Sequence, residues 1–121
     1  MGGEKEMFKP EGVYPAMLTP FDDEGYINEN ELREIIKWLI AEGVSGLFPL
    51  GSVGEFIHLS FEEKAKVMEI CVDEAKGRVP VVPGTAASCA KNCIELTKKA
   101  KDLGCAGAVI APPYYFPMSQ E

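Results

Sequence analysis

The 121-residue sequence has a single histidine, His58, and no two cysteines separated by only two residues. Its four cysteines, Cys71, Cys89, Cys93 and Cys105, are too dispersed for a usual structural zinc site. Cys89 and Cys93 share one face of a predicted helix, either as a redox or metal pair or as small apolar filling. We favour filling, because free cysteine packs as a small apolar residue. We predict no metal and no cofactor.

An excess of basic residues and a long apolar run are also lacking. Lysine and arginine number 12 against 19 acidic residues, a formal net charge of −7. This charge disfavours nucleic acid and anionic membranes as partners, although it leaves a small anionic substrate possible. No apolar run approaches the roughly 20 residues of a membrane span. The charged first 11 residues lack the apolar core of a signal peptide, so we expect a cytoplasmic protein.

Four apolar segments alternate with three helix patterns. The apolar segments, predicted as buried strands, are 13–19, 47–50, 79–82 and 106–111. Capping-box spacing predicts that helices begin at Asn28 and Ser60, each with a glutamate three residues later, and we expect Ser88 to cap the third helix. Each helix pattern ends at a glycine: Gly43, Gly77 and Gly104.

The order βαβαβαβ predicts an α/β fold with a parallel sheet and right-handed crossovers. The strands are apolar throughout, which predicts burial of both faces. An open doubly wound sheet is the alternative, but it usually carries a glycine-rich loop after the first strand, and residues 18–21 (Leu-Thr-Pro-Phe) contain no glycine. We therefore expect an N-terminal arm at 1–11 and, at 12–121, the N-terminal half of a (β/α)₈ barrel, whose full length is roughly 250 residues.

Sites in parallel α/β proteins lie where strands end, which draws attention to residues 51–55, Gly-Ser-Val-Gly-Glu. Two glycines around Ser52 favour a sharp turn with exposed N–H groups that can hold a carboxylate, and the Ser52 hydroxyl can pass a proton. A plain tight turn is the alternative. Glu55 is a candidate acid or base, but a lone carboxylate near a helix start is more often a capping or dipole partner, and we expect His58 to be incidental.

Two further segments follow predicted strands. Residues 112–117, Pro-Pro-Tyr-Tyr-Phe-Pro, present tyrosines that can act as acid or base when another group tunes them. The same loop is equally typical of an apolar contact with a neighbour. Residues 19–21, Thr-Pro-Phe, are expected to be structural.

Together these segments resemble the dihydrodipicolinate synthase and N-acetylneuraminate lyase family. The matching motifs are Leu-Thr-Pro-Phe at 18–21, Gly-Ser-Val-Gly-Glu at 51–55, Pro-Gly-Thr at 83–85 and Pro-Pro-Tyr-Tyr at 112–115. The resemblance implies a (β/α)₈ barrel and a class I aldolase, in which a lysine on strand six forms a Schiff base with a 2-oxo acid, usually pyruvate. The protonated imine then acts as an electron sink.

The resemblance also implies roles for individual residues. The N–H groups of Ser52 and Val53 would hold the pyruvate carboxylate. Ser52 and Tyr115 would belong to the proton relay, and Tyr115 would reach the site of a neighbouring subunit, which implies a homo-oligomer. Val53 stands where many members have threonine, and Phe116 where lysine-pathway synthases often have asparagine. Other 2-oxo acid aldolases therefore remain open.

None of the lysines matches the imine-forming lysine of strand six, because Lys5 and Lys9 lie in the arm and the rest in or beside predicted helices. Those are Lys37, Lys64, Lys66, Lys76, Lys91, Lys98, Lys99 and Lys101. An imine-forming amine is desolvated and directed into the site, and we expect none of these to be so. We predict that the chain alone is inactive. The alternative is a non-catalytic half-barrel that self-associates through its open sheet edges.

Overall fold

A computed structural model describes residues 7–112, 114, 116 and 119. Its three α-helices are α1 (Glu29–Ala41), α2 (Phe61–Ala75) and α3 (Ala90–Leu103). All three confirm helices predicted from sequence periodicity. A short 3₁₀ helix at Phe56–His58, between residues 51–55 and α2, was not predicted. Within the described part of the chain, no helix is long and apolar enough to cross a membrane.

The start of α2 is a complete capping box, as predicted. The Ser60 side chain accepts a hydrogen bond from the Glu63 N–H, and the Glu63 carboxylate accepts one from the Ser60 N–H. At α1, Asn28 accepts from the Glu31 N–H at 3.1 Å, which satisfies one of the first free donors of that helix.

The predicted start of α3 is wrong by one residue. Its N-cap is Cys89 rather than Ser88, and the Cys89 side chain makes no capping hydrogen bond. Ser88 lies one position too early, because the capping oxygen must belong to the residue directly before the first helical turn.

Four extended segments, β1 (13–17), β2 (45–49), β3 (80–85) and β4 (106–109), pair in the order of the chain. Parallel bridges join Ala16 to Phe48, Leu47 to Val81 and Gly84 to Val109; among the described residues they are isolated bridges rather than long ladders. A doubly wound sheet would reverse its strand order. The unreversed order is the one that a barrel requires.

The core lies between the four segments and the three helices, with α1 packed on α2 and α2 on α3. Its fully buried side chains include Leu32, Ile36, Leu47, Met68, Cys71 and Leu96. The expectation that both faces of every strand are buried is wrong for the outer segments: Val13, Leu18, Val109 and Ile110 are exposed. These four side chains lack a cover within the described residues.

Apolar filling describes the buried Cys71, but it does not describe Cys89 of the predicted pair, which is exposed. Burial raises the pKa of the Cys71 thiol to about 12 and that of Cys105 to about 11, so both thiols are neutral near pH 7. Cys89 is exposed and Cys93 half-buried. No group of histidine, cysteine or acidic residues suited to a metal ion occurs in the described part of the chain.

Candidate functional site

The turn at 51–55 lies directly after β2, where the parallel segments end. The Glu55 N–H donates to the Ser52 carbonyl at 3.0 Å, and the Phe56 N–H donates to the Gly51 carbonyl at 3.4 Å. These two bonds close the chain into a compact loop that runs into the 3₁₀ helix. Its carbonyl groups at Gly51 and Ser52 are therefore used inside the turn.

The N–H groups of Ser52 and Val53 differ from these carbonyl groups. Among the residues that the structure describes, no acceptor is bonded to either group, and both residues are exposed. The Ser52 N–H shares a peptide unit with the Gly51 carbonyl, and the Val53 N–H shares one with the Ser52 carbonyl. In a trans peptide the two groups point in opposite directions. Since both carbonyls face into the turn, both N–H groups face out of it, as an anion site requires.

The glycines of the turn act differently from the prediction. The left-handed backbone lies at Leu50 (φ 65°) and Glu55 (φ 58°), not at the two glycines. Gly51 and Gly54 serve close approach instead. A Cβ on Gly54 would lie 2.9 Å from the Met17 carbonyl oxygen, and one on Gly51 would lie 2.9 Å from the Phe48 ring.

Neighbouring segments hold the turn from both sides. The buried Thr19 hydroxyl, two residues after β1, donates to the Gly54 carbonyl at 2.7 Å. On the β3 side, the Gly84 N–H donates to the Pro49 carbonyl at 2.8 Å. The structure therefore brings three of the motifs singled out in the sequence together at one place.

The second candidate segment reaches the same region. The Tyr114 ring packs edge-on against Phe56 of the 3₁₀ helix, with ring centroids 5.6 Å apart and planes at 87°. Tyr115, the candidate relay residue, lies outside the described residues. Glu55 precedes the 3₁₀ helix with an exposed side chain that makes no capping bond, and His58 ends that helix, also exposed.

The Lys64 amine is a feature that sequence reasoning missed. It lies in the first turn of α2 with Nζ 5.6 Å from the centroid of the Phe56 ring, and burial lowers its pKa from the usual value. It lines a cavity of about 510 Å³ together with Tyr114 and Asn92. Lys64 lies in a helix, as predicted, and is half-buried. Its position over the ring of Phe56, eight residues earlier, is not indicated by any local sequence pattern.

Comparison with known proteins adds independent evidence. The sequence profile of the Dihydrodipicolinate synthetase family matches residues 9–121. A 4-hydroxy-tetrahydrodipicolinate synthase of Nitratidesulfovibrio vulgaris is 41% identical over 110 residues, which are 91% of this chain and 37% of that protein. The chain thus spans a little over a third of the length of such relatives.

Solved structures agree with the sequence comparison. YagE, an E. coli K12 prophage protein of the dihydrodipicolinic acid synthase family crystallised with pyruvate, superimposes with a TM-score of 0.86 at 38% identity, over 89% of this chain and 36% of YagE. An N-acetylneuraminate lyase from Mycoplasma synoviae gives 0.84 at 34% identity, over 89% and 38%. These relatives are TIM-barrel structures, and the fold described above is consistent with part of such a barrel. The chain belongs to the Dihydrodipicolinate synthetase family.

Proposed function

We propose that the complete protein containing this chain is a Schiff-base lyase or aldolase acting on pyruvate or another 2-oxo acid. The observation that carries the proposal is the pair of outward-facing N–H groups at Ser52 and Val53, unpaired among the described residues, in a chain of this family. Two N–H donors match the two oxygens of a carboxylate, and hydrogen bonds to an ionised acceptor are stronger than neutral ones.

The chemistry proposed for this chain is binding and proton transfer. With the carboxylate held by the turn, the adjacent keto carbon lies close to the Ser52 hydroxyl. Ser52 and Tyr115 then pass the proton that the carbonyl oxygen takes up as it leaves as water during imine formation. The amine comes from a lysine elsewhere in the complete protein. The resulting iminium accepts the electron pair of the carbon–carbon bond that breaks, or of the C–H bond that ionises before a bond forms.

The substrate class follows from two side chains at the site. Val53 lacks the hydroxyl of threonine but keeps its backbone N–H, so carboxylate binding through the backbone is retained. Phe116, an exposed aromatic side chain, stands where an asparagine is frequent in lysine-pathway synthases. We therefore propose the class of 2-oxo acid aldolases and do not assign one particular synthase.

The architecture we propose is the N-terminal half of a (β/α)₈ barrel. Two observations support it: the segments pair in chain order without reversal, and β1 and β4 carry exposed apolar side chains at Val13 and Val109. A closed barrel would cover both.

Borohydride trapping and NMR together test whether this chain binds pyruvate without forming an imine with it. Reduction of the chain in the presence of pyruvate is expected to give no stoichiometric adduct in the intact mass. The amide signals of Ser52 and Val53 are nevertheless expected to shift with pyruvate in a ¹⁵N–¹H NMR titration, and those of Asp22 and Glu24 in an exposed loop serve as internal controls. A single adduct mapped by peptide mass to Lys64, the partly buried amine, would contradict this assignment. Unshifted Ser52 and Val53 signals would contradict the carboxylate site.

A second candidate is a non-catalytic half-barrel that self-associates, favoured by the exposed apolar residues Leu18 and Ile110 beside the outer segments. If it is right, sedimentation velocity will show a dimer at micromolar concentration, formed edge to edge. Substituting Val109 by lysine is then expected to weaken the dimer, because an unpaired charge resists burial at a sheet edge; Ile94, exposed on α3, is the control position for the same substitution. A stable, well-folded monomer would exclude this candidate.

A further inference from the structure

The hydroxyl of Thr19 is bonded to the far side of the candidate turn. Thr19, two residues after β1, is 5% exposed, and its Oγ1 donates at 2.7 Å to the carbonyl of Gly54, 35 residues later. A hydroxyl with so little access to water is costly to leave unpaired. The bond therefore ties the segment after β1 to the turn after β2.

Rigid peptide units connect this bond to one of the outward-facing N–H groups. The Gly54 carbonyl shares a planar unit with the Glu55 N–H, which donates to the Ser52 carbonyl at 3.0 Å. The Ser52 carbonyl in turn shares a unit with the outward-facing Val53 N–H. Two peptide planes and two hydrogen bonds thus lead from the Thr19 hydroxyl to the Val53 N–H. Hydrogen bonds in such a chain polarise one another, which strengthens the last donor.

The orientation of the Ser52 N–H depends on a different hydrogen bond. Its peptide unit contains the Gly51 carbonyl, which accepts from the Phe56 N–H at 3.4 Å, and no side chain of β1 takes part. Removal of the Thr19 hydroxyl is therefore expected to act on Val53 more than on Ser52. A general loosening of the fold would affect both.

The backbone before the turn is held independently of Thr19. Leu50 is 1% exposed and has a left-handed backbone, a conformation that a leucine keeps only when its surroundings enforce it. The Gly84 N–H bond to Pro49 and the close approach of Gly84 to the Leu50 carbonyl supply that enforcement. Loss of the Thr19 hydroxyl thus frees only the far end of the turn.

We propose that Thr19 is a positioning residue of the carboxylate-binding turn, whose hydroxyl orients and polarises the Val53 N–H through the Gly54 and Ser52 carbonyls. The inference rests on the proposed function of the turn. It gives a role to a residue that the sequence alone marks only as structural.

The test compares Thr19→Val, which keeps shape and removes the hydroxyl, with Thr19→Ser, which keeps the hydroxyl. Ser45→Ala is the matched control, because the Ser45 hydroxyl accepts from the Val13 N–H at 2.9 Å and joins β1 to β2 at the opposite end. Amide chemical shifts without ligand and pyruvate affinity are measured for each by NMR. Thr19→Ala serves as a second hydroxyl-lacking variant if Thr19→Val does not fold.

The expected result is selective. In the ligand-free Thr19→Val chain the amide signal of Val53 shifts more than that of Ser52, and the pyruvate dissociation constant rises roughly tenfold, as the loss of one buried hydrogen bond implies. In Thr19→Ser and Ser45→Ala, the Ser52 and Val53 amide signals and the pyruvate dissociation constant stay close to those of the unsubstituted chain. The proposal would be overturned if the Ser52 and Val53 amide signals of Thr19→Val moved equally, or if neither moved more than in Ser45→Ala. Absence of pyruvate binding in the unsubstituted chain would count against the proposed function, while the ligand-free shift of the Val53 amide signal still decides the role of Thr19.

Discussion

Replacement of Ile36 by alanine is expected to lower the free energy of unfolding by about 3 kcal/mol. Ile36 is 0% exposed on the inner face of α1, in the core that the helices share with the parallel segments. The substitution removes buried methyl and methylene groups and leaves a cavity that a helix packed against α2 cannot easily close. Urea unfolding followed by circular dichroism measures the loss.

Ile94→Ala on α3 is the matched control for Ile36→Ala. Ile94 is 53% exposed, so the same chemical change removes little buried surface, and alanine is the better helix former. We expect a change within about 0.5 kcal/mol, as is usual for surface positions. Similar losses in both variants would mean that α1 does not bury the face that its periodicity predicts.

The helices could be predicted from the sequence because their signals are local. Leu32 and Ile36 recur at helical spacing and are both fully buried. Ser60 and Glu63 form the capping box that their spacing predicts. The boundary of α3 was missed by one residue because Cys89, the true N-cap, has no side-chain capping bond and so leaves no sequence signal.

The details of the site could not be predicted, because they depend on contacts between distant residues. The left-handed backbone lies at Leu50 and Glu55, residue types that give no hint of it. The bond from Thr19 to Gly54 spans 35 residues, and the Lys64 amine lies over the ring of Phe56 from the segment before α2. Sequence motifs located the turn, but its geometry is set by what surrounds it.

The family motifs gain a physical meaning from this arrangement. Thr19, Gly54 and Gly84 belong to three separate motifs of the chain and meet around the backbone of Leu50 and the turn. Thr19 supplies a hydrogen bond, Gly54 supplies space against β1, and Gly84 supplies space against β3. A glycine in this setting is required for its missing side chain rather than for its flexibility.

Replacement of Gly84 by alanine is therefore expected to have the largest effect at the site. The new Cβ would overlap the carbonyl oxygen of Leu50 and lie 2.9 Å from its carbonyl carbon. Both are backbone atoms of a buried residue, so no side-chain rotation can relieve the overlap. We expect a loss of about 3 kcal/mol in the free energy of unfolding, the upper end of the usual cost of overpacking, and displaced amide signals for Ser52 and Val53.

Gly107→Ala on β4 is the matched control for Gly84→Ala. It shows whether any glycine-to-alanine change in these segments is destabilising, or only one that creates this clash. A Cβ on Gly107 would lie 3.6 Å from the Phe8 ring and 3.8 Å from a methyl group of Val82, which are ordinary van der Waals distances. Its stability should change little, since alanine also restricts the unfolded chain. If Gly84→Ala unfolds at the same urea concentration as Gly107→Ala and leaves the Ser52 and Val53 signals in place, then contact with β3 does not shape the turn. If only Gly84→Ala moves those signals, β3 holds the near end of the turn as Thr19 holds its far end.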